Sequence, residues 1–94
     1  MPRFLVVHRV AAYPDSQEHW IKILKQLRQR TSEDVEWVRT FFDPNAGEMY
    51  CEWEADNDAA IRACFTEEDL RMVPIESIRE IVMIDPSWLE ESTP

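Results

Sequence analysis

The sequence is poor in glycine: Gly47 is the single one among 94 residues. Loops that cradle phosphates, and the fingerprint of dinucleotide-binding domains, each need several glycines because the backbone must approach the ligand closely. Both kinds of nucleotide site are therefore excluded.

Cysteine and histidine are scarce as well. Cys51 and Cys64 stand 13 positions apart and form no C-x-x-C pair, which excludes a zinc knuckle and a dithiol redox motif. His8 and His19 show none of the short histidine spacings of metal sites, and neither H-E-x-x-H nor a Ser-His-Asp arrangement is present. We expect two buried thiols in a reducing cytoplasm.

Basic residues are outnumbered by acidic ones, 10 against 19, which gives a net charge of −9. This charge repels phosphate backbones and anionic membranes, so we expect neither nucleic acid nor a membrane as partner. No apolar run approaches the ~20 residues that a membrane span needs. The apolar run that ends at His8 is too short for a signal peptide, and we expect a cytoplasmic protein.

Hydrophobic patterning predicts six elements in the order strand, helix, strand, strand, helix, strand. The first helix carries one apolar stripe, formed by Trp20, Ile23, Leu24 and Leu27. Asp15 is its predicted N-cap, and "TEED" (66–69) predicts a capping box that starts a further helical turn. The predicted strands are 3–10, 35–42, 48–55 and 77–84, and the predicted helices are 16–30 and 57–65.

The segment "DPNAG" (43–47) predicts a turn between the second and third strands. The register of this hairpin follows from putting aromatic and apolar pairs on one face. It sets Trp37 opposite Trp53, Arg39 opposite Cys51, and Phe41 opposite Met49.

This order of elements is typical of a ferredoxin-like βαββαβ sandwich, an α+β fold whose four-stranded antiparallel sheet carries two helices on one face. We expect residues 1–94 to form this single domain, with 86–94 as a C-terminal tail. The other sheet face stays open, and an open face with large apolar residues usually binds a partner. The sequence therefore predicts a homodimer with facing sheets, in which Trp88 and Leu89 reach across or cap the barrel.

Cys51 has two interpretations. Opposite Arg39, its thiol pKa would be lowered and a reactive thiolate favoured. Flanked by Met49 and Trp53, and without a histidine to act as base, it is instead a small core residue. We favour the core interpretation.

Tyr50, Glu52 and Glu54 alternate with the apolar residues of their strand and form its polar face. We expect them to share that face with Val38 and Thr40. The face is either simply solvated or lines a cavity closed by a partner, where a buried carboxylate has a raised pKa and can act as acid or base. Tyr50 and Glu52 are the candidate ligand-binding residues, and Glu52 with Glu54 could also hold a cation.

His8 lies on a strand that we expect to be central and covered on both sides, where an imidazole needs a hydrogen-bonding partner. It is a structural residue if that partner is backbone, and a cation or proton-transfer site if the partner is Tyr50, Glu52 or Glu54. Because imidazole suits zinc, copper and nickel, His8 is the candidate metal ligand. His19 falls at the edge of the helical stripe, and we expect it to be partly exposed.

Several segments together resemble one known family: "MPRFLVVHRV", "WVRTFF" before the Pro/Gly turn, "YCEWEA", "AIRA" and "ESIREI" after a proline. Over roughly residues 2–88 the chain resembles the nickel-binding-protein-like family of small bacterial domains. The resemblance implies a dimeric ferredoxin-like α+β barrel. It also implies that His8 corresponds to the first-strand histidine of members linked to metal, with a divalent ion such as nickel as cofactor.

Three functions of different classes follow. The first is a small-molecule or divalent-metal binding domain, favoured by the resemblance. The second is a cofactor-independent isomerase or monooxygenase with its site in the barrel cavity, an analogy with other dimeric α+β barrels. The third is a structural or regulatory dimer without a ligand.

Overall fold

The computed structural model describes residues 1–90 of the chain. Its strands are β1 (Arg3–Arg9), β2 (Val35–Asp43), β3 (Glu48–Ala55) and β4 (Ile75–Ile81). Its α-helices are α1 (Gln17–Gln29), α2 (Asp58–Arg62) and α3 (Glu67–Met72), and a 3-10 helix follows at Pro86–Leu89. The predicted order of elements is confirmed, and the second helical segment consists of two short helices. Within residues 1–90, none of the helices has the length and apolar content that a membrane crossing requires.

The four strands form one antiparallel sheet in the order β2-β3-β1-β4. This is the predicted ferredoxin-like α+β fold, with β1 in the interior of the sheet. Alternate residues of β1 and β3 face the helices, and the core consists of Phe4, Val6, Leu27, Met49, Cys51, Trp53, Ala55, Ile61, Cys64 and Val73. The helices therefore cover one sheet face, and the other face, here named the open face, is not covered by them.

Side-chain caps begin the helices. Ser16, and not the predicted Asp15, caps α1, because its hydroxyl accepts the backbone N–H of His19 at 3.1 Å. Thr66 and Asp69 form the predicted capping box of α3, each accepting the other's backbone N–H at 3.0 Å. These bonds satisfy N–H groups that a helix start leaves without partners.

The β2–β3 turn is built around Asp43 and Gly47. The Asp43 carboxylate accepts the backbone N–H groups of Asn45 and Ala46, and the Gly47 N–H donates to the Asp43 carbonyl at 2.9 Å. Gly47 has a φ of 66°, which glycine adopts without steric cost. The single glycine of the chain thus serves a turn.

The predicted hairpin register is confirmed at Trp37 and is wrong from Arg39 to the turn. Trp37 lies opposite Trp53 as predicted, with ring centroids 6.2 Å apart and an interplanar angle of 17°. The register then shifts by one residue at Val38, so that Arg39 lies opposite Glu52 and not Cys51. Beyond the shift the pairs are Thr40 with Cys51, Phe41 with Tyr50 and Phe42 with Met49. A β-bulge of this kind inserts one extra residue and exchanges the faces of the residues beyond it.

The last strand and the tail differ from the prediction in their bounds. β4 pairs with β1 from Ile75 to Ile81, earlier than the predicted 77–84, and Val82 beyond it is 86% exposed. Asp85 caps the 3-10 helix by accepting the N–H of Ser87 at 2.9 Å. Trp88 and Leu89 are 62% and 70% exposed. The tail is described to residue 90, and its predicted part 91–94 lies outside the described residues.

Candidate functional site

The centre of the open face is formed by facing residues of β1 and β3. Leu5 lies opposite Glu52, and Val7 lies opposite Tyr50. Tyr50 also lies opposite Phe41 of β2 on its other side. The candidate ligand residues Tyr50 and Glu52 thus share one face, as predicted, and each lies beside an apolar residue of the central strand.

Ion pairs fix Glu52 in place. Its Oε2 accepts a hydrogen bond from Nη1 of Arg3 at 2.9 Å, and its Oε1 lies 3.7 Å from Nε of Arg39. Nη2 of Arg3 donates to Glu54. The side chains of Arg3 and Glu52 are 19% and 18% exposed. The cation that Glu52 and Glu54 hold in this structure is therefore the guanidinium of Arg3, in a geometry favourable for charge-assisted hydrogen bonds.

Tyr50 is held by a neighbouring carboxylate. Its hydroxyl donates to Oε2 of Glu48 at 2.8 Å. This bond, followed by burial and the charges of Glu48, Asp43 and Glu76, raises the pKa of Tyr50. The phenol therefore keeps its proton at neutral pH, and its oxygen can accept a hydrogen bond from a bound molecule.

Thr40 lies on the helix side of the sheet and not on the open face, because of the shift at Val38. Its hydroxyl accepts from Nε1 of Trp37 at 2.8 Å and donates to Sγ of Cys51 at 3.0 Å. Burial raises the pKa of the Cys51 thiol to about 11, although the Thr40 bond acts in the opposite direction. Cys51 is 2% exposed and belongs to the core, as we favoured. The predicted pairing of Arg39 with Cys51 is wrong, because Arg39 faces Glu52 on the other side of the sheet. The alternative of a reactive thiolate therefore lacks its guanidinium.

His8 is fully buried on the helix side of the sheet. Its Nδ1 lies 2.8 Å from the carbonyl oxygen of Val73. A carbonyl only accepts, so Nδ1 carries the proton and the neutral ring leaves Nε2 as a bare acceptor. Nε2 lacks a hydrogen-bond partner among the described residues, and the ring of Phe65 lies 5.2 Å away between centroids. Desolvation lowers the pKa of His8, against the opposing effect of the Val73 bond.

The sheet separates His8 from the other two candidate residues. The side chains of His8 and Met49 point to the helices, whereas those of Tyr50 and Glu52 point to the open face. A single site that includes all three is therefore not formed within one protomer. The sequence left two partners open for His8, the backbone or the polar residues of β3. The observed partner is a backbone carbonyl, as expected of a structural residue.

The residues around His8 do not fit a nickel ion. Nickel sites in proteins use several nitrogen, sulfur or oxygen ligands in a defined geometry. Within residues 1–90, the structure brings no three His, Cys, Asp or Glu side chains together in an arrangement that could hold a metal. His8 accordingly has no co-ligands within the part of its protomer that is described.

Sequence reasoning missed several residues of the open face, among them Arg3, Leu5, Val7, Arg39 and Phe41. Alternation along "RFLVVHR" places Arg3, Leu5 and Val7 on one side of β1. It does not show which side joins Tyr50 and Glu52, because that depends on the register between distant strands.

A separate cleft of about 380 Å³ lies between α1 and α3. Basic residues of α1 and its C-cap and acidic residues of α3 line it, including Lys22, Arg30, Glu67 and Asp69. The Arg30 guanidinium donates to the Asp69 carboxylate at 2.8 Å across it. His19 also lines this cleft and is exposed.

Comparison with known proteins gives a family and a structural neighbour. A family model described as "Nickel responsive protein SCO4226-like" matches residues 4–81. A crystal structure of SCO4226 from Streptomyces coelicolor A3(2) superimposes with a TM-score of 0.62 at 22% sequence identity, over 88% of this chain and 99% of that one. At this identity the superposition shows a shared fold. A search of curated proteins found no match.

Proposed function

The chain belongs to the family of nickel responsive SCO4226-like proteins, and we propose that within it the chain acts as a homodimeric binding domain. Its two open faces would lie against each other, with Tyr50 and Glu52 lining a site for a small organic molecule. The single observation that carries this proposal is the pairing of Tyr50 and Glu52 with the apolar residues Val7 and Leu5 on a face that the helices leave uncovered.

Exposed apolar side chains support the dimer. On the open face, Phe41 is 57% exposed. In the tail beyond β4, large apolar side chains are exposed at Val82, Met83, Ile84, Trp88 and Leu89. Exposed large apolar side chains on a sheet face and on the tail beside it favour a protein–protein contact. A second copy, placed sheet to sheet, would remove this surface from water.

The composition of the face supports a small-molecule ligand. Such sites are mostly apolar, with a few polar groups that orient the ligand. Val7 and Phe41 flank Tyr50, and the pair of Tyr50 and Glu48 offers acceptor oxygens. We therefore expect a ligand with an apolar body and a hydroxyl or amino group that donates to these oxygens.

Binding is favoured over proton-transfer catalysis on this face. The raised pKa of Tyr50 keeps the phenol protonated, so it is a poor general base. The isomerase or monooxygenase alternative thus remains an analogy with other barrels. The structural-dimer alternative has a specific observation in its favour, because Arg3 already occupies the carboxylates of Glu52 and Glu54. The two free, buried thiols support a cytoplasmic location as part of the proposal.

A thermal-shift screen of small alcohols and amines with an apolar body tests the proposal. Compounds that raise the Tm of the tag-free protein should lose their effect in Tyr50→Phe and Glu52→Gln. Tyr13→Phe is the matched control, because Tyr13 is 62% exposed and lines a different cleft at the start of α1. Equal Tm shifts in the Tyr50 and Tyr13 variants would contradict the site. A crystal structure with side chains packed solidly between two sheets would establish the structural dimer instead.

A further inference from the structure

Within residues 1–90, the buried imidazole of His8 has one polar contact, which is a backbone carbonyl. α3 ends at Met72, and the carbonyl of the following Val73 accepts from Nδ1 of His8 at 2.8 Å. The backbone N–H of Arg9 donates to the carbonyl of Pro74 at 3.2 Å. Two consecutive carbonyls between α3 and β4 are therefore bonded to two consecutive residues of β1.

These contacts give hydrogen-bond donors to two carbonyls that follow the end of α3. The last carbonyls of a helix lack partners within the helix, and a buried carbonyl without a donor is costly. The β1–β4 pairing is also irregular at this point. Val7 lies opposite Ser77, but the next residue, His8, lies opposite Ile75, so the pairing skips Glu76. We propose that His8 is a structural imidazole that fastens β1 to the α3–β4 connection, and that it is not a nickel ligand in this member of a nickel responsive family.

The surroundings of Nε2 support this assignment. This nitrogen is the one atom of the ring that could bind a metal, and Phe65 packs against the ring with centroids 5.2 Å apart. Met49 lies directly opposite His8 on β3, and Ile75 lies opposite it on β4. Among the described residues, the causes of the lowered His8 pKa are burial and, in the opposite direction, the bond to the Val73 carbonyl. An ion at Nε2 would therefore meet apolar side chains where its other ligands should be.

The other histidine and the two cysteines lie apart from His8. His19 is exposed on the first turn of α1. Cys51 accepts from Thr40, and its raised pKa opposes the deprotonation that metal binding requires. Sγ of Cys64 lies 3.6 Å from the carbonyl oxygens of Arg30 and Ala60. Within residues 1–90 these donors do not combine into a site.

The first test uses the wild-type protein with any histidine tag removed, so it does not depend on a folded variant. The imidazole ¹⁵N resonances are recorded during titration with Ni²⁺ up to a tenfold excess. We expect the His8 ring to show the neutral form protonated at Nδ1 and to remain unshifted and unbroadened throughout. A His8 signal that broadens or shifts to saturation at equimolar Ni²⁺ would overturn the assignment.

The second test compares His8→Gln with the matched control His19→Gln. His8→Gln should unfold at lower urea concentration than wild type, because its amide carries polar atoms beyond the one that the Val73 carbonyl can bond and buries them among apolar residues. It should leave any Ni²⁺ affinity measured by calorimetry unchanged. His19→Gln should unfold like wild type. A loss of stoichiometric Ni²⁺ binding in a folded His8→Gln protein, with binding retained in His19→Gln, would contradict the structural role. If His8→Gln fails to fold, the wild-type titration alone decides.

Discussion

Thr40 and Cys51 lie directly opposite each other in the β2–β3 hairpin, and the Thr40 hydroxyl donates to the Cys51 sulfur at 3.0 Å. Nε1 of Trp37 donates in turn to the Thr40 hydroxyl at 2.8 Å. The chain of bonds runs along the helix side of the sheet, away from the open face. It makes Cys51 a packed and hydrogen-bonded thiol, which has consequences for its reactivity.

Cys51 should be inert in the native protein. With a pKa of about 11, about one Cys51 thiol in ten thousand is ionised at pH 7. Burial also keeps thiol reagents away from the sulfur atom. Titration with a thiol reagent should detect almost no reaction in the native state and both cysteines in strong denaturant. The variant Cys64→Ser isolates Cys51. Rapid native labelling of Cys51 in that variant would contradict its place in the core.

His8 should make the stability depend on pH. Burial lowers its pKa below the ordinary value of 6.5 in the folded state, so the unfolded chain binds a proton more readily. The neutral ring makes its full contribution to the free energy of unfolding above about pH 6.5. This contribution is lost as the pH falls towards the lowered pKa of the folded state. The free energy of unfolding in urea should therefore fall between pH 7 and pH 5.5.

The control for this prediction is the exposed imidazole. His19→Gln should keep the wild-type fall in stability over this pH interval, whereas His8→Gln should flatten it. A wild-type stability that stays constant from pH 7 to pH 5.5 would show that His8 is not buried as a neutral ring. An unchanged slope in His8→Gln would assign the effect to other groups.

The capping box of α3 should contribute measurably to stability. Thr66→Ala removes the acceptor of the Asp69 N–H, and the loss of such a cap costs about 1 kcal/mol. Thr66→Ser keeps the hydroxyl and should unfold close to wild type. Urea denaturation of the three proteins measures the difference. Equal midpoints for Thr66→Ala and Thr66→Ser would mean that the cap contributes nothing.

Local patterns predicted the elements, because each depends on neighbours in sequence. The alternation in "EMYCEWEA" gave β3 its two faces, and the "TEED" box gave the start of α3. Asp15 and Ser16 are both good caps, and only the geometry of the first turn decides between them. The strand "VEWVRTFFD" is apolar at both parities, so its pattern does not reveal the extra residue at Val38.

The candidate site depended on contacts between distant strands, which a single sequence does not specify. Tyr50 and Glu52 were placed together because both lie in β3. The sequence left open whether His8 joins them, because only the β1–β3 register decides it: His8 lies opposite Met49, with its side chain on the helix side of the sheet. The role of Arg3 as the cation between Glu52 and Glu54 arises from the same register.

The open face as the contact between two copies is the central claim, and sedimentation equilibrium of the tag-free protein at micromolar concentration tests it most directly. We predict a mass of about twice the 11.2 kDa of one chain. Val7→Glu should sediment as a single chain, because it places a charge at the centre of the contact. The matched variant Ile21→Glu changes an exposed residue of α1 and should remain dimeric. A wild-type mass of 11.2 kDa would contradict the claim.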